Sequence, residues 1–397
     1  MKAIIVGGGP AGARAGELLA NQGARVILYE ARAGWEKPCG GGVPERGVDF
    51  CPFLAESRTP HVLARRARIF SPRGREALVD LAEPLRIYSR SRLNGLFLER
   101  ARAQGAELRG RRIVSLSRRE RGWKVVDSAG REETADFLVG ADGASGLVRG
   151  RLGAHLPPLR QTLGIGYYVD GFTSAEVVLK FFRGLDGYLW VFPRPDHLAV
   201  GICGPTGQAS RTALAQEMSR FLADLYGNGV LRRLRSYGAR IPSPPAEAER
   251  GSGCIGQGWA LVGDAAGFVD PLTREGIHYA VASATFLSEA LARGEPAAYP
   301  ARWISEFGLE LDWASRHKAL FFAPRFMEAF TSLSRCPPIS SIVSDLIAGR
   351  QDYRSLRRRL ASHLPRVGGA LGLLLLKRLV AGRTASPPPS LVPLPAE

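Results

Sequence analysis

Cysteine is scarce in this chain of 397 residues and poorly spaced for ligand chemistry. The five cysteines, at positions 39, 51, 203, 254 and 336, are odd in number and include no C-x-x-C pair. That pattern argues against zinc and iron–sulfur sites and for a reducing compartment, so no metal and a cytoplasmic location are expected. Long apolar runs are missing too. Ala370-Leu371-Gly372-Leu373-Leu374-Leu375-Leu376 is only seven residues long, whereas crossing a bilayer takes about twenty. No internal repeat stands out. Met1–Val6 reads as a first strand, so no signal peptide is expected.

Lysine is the third shortage. Six of the 54 basic residues are Lys, within a formal net charge of +17. The basic runs Arg65–Arg68, Arg109–Arg112 and Arg118–Arg121 are scattered and carry no nucleic-acid motif, so nucleic acid is not an expected partner. The C-terminal share is more concentrated: residues 350–383 hold nine Lys or Arg against one Asp, nine less one, or +8. With the apolar heptad inside it, this region suits peripheral contact with an anionic membrane about as well as a buried helix with a solvated basic face.

What the chain does contain is a glycine fingerprint in context. Ala3-Ile4-Ile5-Val6 is a short β-branched run of the kind that forms a buried parallel strand. It leads into Gly7-Gly8-Gly9-Pro10-Ala11-Gly12, a G-x-G-x-x-G. Gly7 allows the tight turn, Gly9 lets backbone N–H groups approach a pyrophosphate, and Gly12 lets helix pack on strand. The helix N-terminus then holds the anion. Arg25-Val26-Ile27-Leu28-Tyr29-Glu30 predicts the second strand, with Glu30, followed by Ala31, where an acid takes ribose hydroxyls.

The partner motif comes some 250 residues later. Trp259-Ala260-Leu261-Val262 predicts a strand ending at Gly263-Asp264, where a carboxylate can accept from a ribityl hydroxyl. After Pro271, Gly276 and Ile277 open a helix with Ile277, Ala280, Val281, Ala284, Leu287 and Leu291 at helical period. Its positive end suits the N1–C2=O edge of a reduced flavin. Together the two motifs predict FAD. His278 reads as a packed or exposed imidazole rather than a catalyst. Asp142, at the strand end Phe137–Gly143, is expected to orient Arg90 or a phosphate.

The expected fold class is α/β, α+β overall. A Rossmann-type FAD-binding domain is assigned to residues 1–62, 90–153 and 254–293, and an antiparallel-sheet substrate domain to 63–89 and 154–253. A helical region follows over 294–385, with breaks at Pro324, Pro337-Pro338 and Pro365, then a Pro-rich tail over 386–397. Within the sheet, Tyr188, Trp190 and Phe192 alternate along a strand and so share a face.

Gly7-x-Gly9-x-x-Gly12, Ala141-Asp142-Gly143 and Gly263-Asp264 together resemble the flavoprotein group that includes p-hydroxybenzoate hydroxylase. Lys37-Pro38-Cys39-Gly40-Gly41-Gly42 and Tyr188-Leu189-Trp190-Val191-Phe192-Pro193 resemble two signatures of the geranylgeranyl reductase family. The resemblance implies FAD-dependent saturation of C=C bonds in a hydrophobic polyprenyl substrate, with NADPH or ferredoxin as undetermined electron donor. It places Cys39, Gly40 and Gly41 beside the flavin. It also nominates Cys39, Tyr188 and Trp190 for catalysis and Tyr188, Trp190, Phe192 and Pro271 for the substrate pocket. The chain departs from the family at Gly146, where Ser is usual, at Arg274-Glu275-Gly276 for Gly-Glu-Gly, and at Gly201-Ile202-Cys203-Gly204, where the glycine pair is interrupted. Rival readings are a flavin monooxygenase, a halogenase, an electron relay to quinone, and a redox-neutral cyclase.

Overall fold

The structure is a computed structural model describing residues 1–152, 161–242, 253–363, 389 and 391–393. Its main elements in chain order are β1 (Lys2–Val6), α1 (Pro10–Asn21), β2 (Arg25–Tyr29), β3 (His61–Phe70), β4 (Glu76–Tyr88) and α2 (Arg90–Ala103). Then come β5 (Phe137–Gly140), β6 (Gln161–Asp170), β7 (Glu176–Phe181), β8 (Tyr188–Pro193), β9 (His197–Pro205), α3 (Arg211–Tyr226) and β10 (Leu234–Pro242). The C-terminal part adds β11 (Trp259–Leu261), α4 (Ile277–Ala292), α5 (Leu309–Phe321), α6 (Pro324–Leu333) and α7 (Pro337–Ala348).

The fold is mixed α/β, built on two large sheets. In the first, β11, β5, β1 and β2 run parallel, with Glu107–Arg109 parallel at one edge and Ile255–Gly256 antiparallel at the other. Ile4, Ile5, Ile27, Leu28, Leu138 and Val139 on its central strands are fully buried or nearly so. The continuous β-branched and aliphatic runs thus reflect a sheet buried on both faces, its core shared with Ile113, Trp123 and Val125, and each such side chain contributes about 1.5–3 kcal/mol by leaving water. α1 and α4 pack together over this sheet, and α4 is buried around most of its girth.

The second sheet has the order β10-β6-β9-β8-β7-β3-β4, with Gly42–Val43 at the far edge. Its alternating sequence predicts antiparallel pairing, and most pairs are antiparallel. The exception is β7 beside β3, which run parallel with Glu176 opposite Arg66. A third, three-stranded antiparallel sheet (Ile113–Arg118, Trp123–Asp127, Glu132–Ala135) is an unexpected addition.

α5, α6 and α7 cap the second sheet. Pro324 and Pro337 begin helices instead of interrupting them, because Pro at the first helical position loses no intrahelical bond. Pro365, the heptad at 370–376 and most of the Pro-rich tail fall outside the described residues. Among the described residues, no helix is long and apolar enough to cross a membrane.

Candidate active site

A cavity of about 630 Å³ runs from the first β–α turn to the helical cap. At one end it is walled by Gly7, Gly8, Gly9, Pro10 and Ala11. Gly7 has φ +102, and a Cβ there would lie 2.3 Å from the Ala141 carbonyl oxygen. A Cβ at Gly12 would lie 1.9 Å from the Gly7 oxygen, so helix and turn approach as only glycine permits. Gly9 faces open space. α1 starts without a capping side chain and without an acid in its first turn, which leaves its N–H groups for an anion. Glu30 accepts from Gly8 N at 2.8 Å and from Arg32 N at 2.7 Å, which fixes its carboxylate at the cavity wall. These features fit the diphosphate and ribose of a dinucleotide.

The opposite wall of this end is a loop held by charge. Glu36 accepts from the Arg194 guanidinium, from the Ser89 hydroxyl and from the backbone N–H groups of Arg90 (2.7 Å) and Ser91 (3.1 Å). Burial alone would raise this carboxyl, but Arg194 and the other donors outweigh it and hold it at about 2. Arg194, fully buried at the end of β8, also donates to the Cys39 carbonyl oxygen at 2.5 Å. The Cys39–Gly42 turn is thereby pinned. Gly41 has φ +81, and a Cβ at Gly40 would lie 2.7 Å from the Phe192 ring. The glycine run therefore exists to let an aromatic ring lie on backbone. Cys39 Sγ accepts from Gly41 N at 3.3 Å.

β8 supplies the aromatic wall. Tyr188, Trp190 and Phe192 all face the cavity. Trp190 pairs in register with Gly201 of β9, where a Cβ would stand 2.1 Å from its ring. Beyond Trp190 the cavity becomes apolar, lined by Ile69, Val177, Leu179 and Phe181 from the sheet and by Phe321, Phe330, Val343, Leu346 and Ile347 from the cap.

Acids gather where the two parts meet. Asp264 pairs with Lys37 at 3.0 Å. Asp270 accepts from Leu272 N, Thr273 N and the Tyr353 and Tyr279 hydroxyls. Glu275 accepts from His278 N at 2.7 Å, at the start of α4. Glu275 is half-buried and lines the cavity. Burial, aided by Asp270 and Asp264, pushes its carboxyl up to about 8. His278 is buried against Phe50 and Tyr279, and burial lowers its imidazole to about 3, so it is neutral.

Residues 1–214 match the model of the FAD binding domain family. Geranylgeranyl diphosphate reductase of Rhodobacter capsulatus is 31% identical over 317 residues, 74% of this chain and 77% of that one. The chain belongs to the geranylgeranyl reductase family of FAD-dependent oxidoreductases. Menaquinone reductase of Mycobacterium tuberculosis is 28% identical, covering 82% of this chain and 85% of the relative. A geranylgeranyl bacteriochlorophyll reductase-like protein of Thermoplasma acidophilum shares the fold at 19% identity, with a TM-score of 0.73 over 91% of this chain and 98% of the other. Flavin-dependent brominases and monooxygenases of known structure share that fold at 20% identity or less.

Within this reductase-family fold, Gly7, Gly9, Pro10, Ala11, Glu30, Cys39, Gly40, Gly41, Arg90, Asp142, Asp264, Gly276 and Ile277 all reach one cavity with the three aromatics. Gly12, Ala31, Gly263 and Pro271 do not line it. Gly12 acts through packing, and Gly263 N is tied to Ser283 Oγ at 3.0 Å. Pro271 is buried behind Asp270 and Leu272, so its place in the substrate pocket is corrected. The expected Asp142–Arg90 contact is also corrected. Asp142 accepts from Val148 N at 3.0 Å, because the short helix Leu147–Arg151 begins there, while Arg90 donates to Asn94. Burial raises the Asp142 carboxyl. Sequence reasoning missed Glu36, Arg194 and the Lys37–Asp264 pair. For Lys37 a signal existed, since it opens the Cys-Gly-Gly-Gly segment.

Proposed function

We propose that this chain saturates C=C bonds of a polyprenyl substrate, using FAD reduced by NADPH or ferredoxin. The observation that carries the reading is the single cavity joining a dinucleotide cradle to an apolar arm. When bound, FAD supplies a hydride from N5. Gly7–Gly12 and the start of α1 would hold its diphosphate, Glu30 its ribose, and Asp264 with the N-terminus of α4 its ribityl and pyrimidine parts. An isolated alkene has no carbonyl to polarise, so the protein must position it and exclude water. Tyr188, Trp190 and Phe192 form the wall that does this. Cys39, on its pinned turn, shapes the junction.

Relatives named for geranylgeranyl diphosphate and for menaquinone support a prenyl chain as the shared element. The apolar arm reaches Phe321 and Phe330, with Leu320 (57% exposed) and Phe326 (36%) on the surface beside them. A long lipid substrate would enter here from a membrane, to which the basic C-terminal region would add electrostatic contact. The test is anaerobic. The FAD-loaded protein, reduced with dithionite and freed of excess, is mixed with geranylgeranyl diphosphate or a menaquinone. Flavin reoxidation with a gain of about two mass units per double bond, the mass of two hydrogens, supports the reading. Reoxidation only by the quinone ring, with no mass gain in the tail, overturns it in favour of an electron relay.

A further inference from the structure

Saturating an alkene takes a proton as well as a hydride, and the cavity offers few protons near its aromatic wall. The phenols are committed: Tyr188 donates to the Thr273 carbonyl oxygen, Tyr237 to that of Val200 at 2.7 Å, and Tyr353 to Asp270 at 2.9 Å. Tyr279 lies against the same Asp270 oxygen. His278 is neutral and buried in an aromatic cluster. Both Asp270 oxygens are already engaged, accepting from four donors. Asp264 is matched by Lys37.

Glu275 differs from each of these. It lines the cavity between Thr273, which anchors Tyr188, and Ile277, which opens α4. Among the described residues it has no cationic partner within ion-pair distance. The neighbouring Arg274 turns away, donating to the Asp186 carbonyl oxygen at 3.2 Å and lying close to Cys203. The charged groups that bear on Glu275 are instead the like-signed Asp270 and Asp264. One carboxyl oxygen is anchored by His278 N, so the group is oriented while still reaching the cavity.

We infer that Glu275 is the catalytic acid of the proposed reduction, an assignment that rests on that reading. One alkene carbon receives the hydride, and with it the two electrons lost by reduced FAD. The π pair of the double bond takes the Glu275 proton at the other carbon. The carboxylate left behind is reprotonated from solvent before the next turnover. Among the described residues no cation stands beside Glu275, and burial with the like-signed Asp270 and Asp264 favours its protonated form at neutral pH.

The test compares wild type, Glu275→Gln and Glu275→Asp, all FAD-loaded and reduced anaerobically. Geranylgeranyl diphosphate is the probe, and flavin reoxidation is followed by stopped flow. Glu275→Gln is expected to slow reoxidation about 100-fold or more, with FAD affinity and prenyl-induced quenching of tryptophan emission within about twofold. Glu275→Asp is expected to recover part of the rate. Infrared difference spectra give a readout apart from turnover. A protonated-carboxyl band should be present at pH 7, disappear in Glu275→Gln and titrate away near pH 8. Reoxidation of Glu275→Gln at the wild-type rate, or no such band in wild type, overturns the assignment alone. Failure of wild type itself to be reoxidised by the alkene overturns the prenyl reading beneath it.

Discussion

The two ends of the cavity are made in different ways. The dinucleotide end is largely backbone: a turn at Gly7, a helix N-terminus, and one carboxylate at Glu30 that accepts from main-chain N–H groups. The apolar arm is all side chain, contributed by β3, β7 and β8 and by helices more than a hundred residues further on. A backbone site tolerates almost no substitution at its glycines and many elsewhere. A side-chain site behaves the opposite way, and its shape can change without unfolding the chain. The contrast teaches where specificity resides: the arm can be resculpted for a new tail while the cradle stays fixed.

The sharpest way to break the comparison is at Gly12. Its added Cβ would meet backbone at 1.9 Å, so Gly12→Ala is expected to cost about 3 kcal/mol or more and to abolish yellow colour in the purified protein. A stable holoprotein carrying this change would show that the cradle is softer than its geometry implies. Glu36→Gln comes next, because it leaves Arg194 buried without its anion. The expected loss is about 3 kcal/mol in urea unfolding at pH 7. The wild-type contribution has a definite pH dependence. Glu36 is depressed on folding, so its stabilisation is complete above about pH 5 and falls as pH drops toward 2. The gap between wild type and variant, full at pH 7, should therefore narrow at pH 3.

At the arm, Trp190→Ala is expected to weaken prenyl binding by about 10- to 100-fold while FAD affinity changes less than about twofold. Equal loss of both ligands, measured by flavin fluorescence and by isothermal titration with geranylgeranyl diphosphate, would mean that the ends are not separable. The smallest effect is expected at Arg274, the one non-glycine residue with positive φ among those described, at +59. Arg274→Gly relieves that backbone, gaining about 0.5–1 kcal/mol in thermal unfolding, partly offset by the lost contact to Asp186.

The same contrast explains what could be read in the sequence. The cradle was legible because its motifs are local: a glycine at a positive φ or a helix start leaves its mark within a few residues. Tyr188, Trp190 and Phe192 were legible because a strand repeats every second residue. The rest depends on distant pairings. Glu36 meets Arg194 across 158 positions, and in a chain with 54 basic residues no single Arg draws attention. The parallel register of β3 and β7 escaped because alternation marks a half-buried strand without giving its direction. Pro271 was misplaced for a similar reason, since chain proximity to Asp270 does not say which side of the loop faces inward.

The Glu36–Arg194 junction has a thermodynamic consequence for the molecule as a whole. It welds a loop leaving the nucleotide-side sheet to the residue that follows the aromatic ribbon, so neither half can melt without stranding an ion in a greasy interior. Heating should consequently produce one calorimetric peak where two sheets of such different make-up would otherwise give two, and cutting the weld should let the trace split.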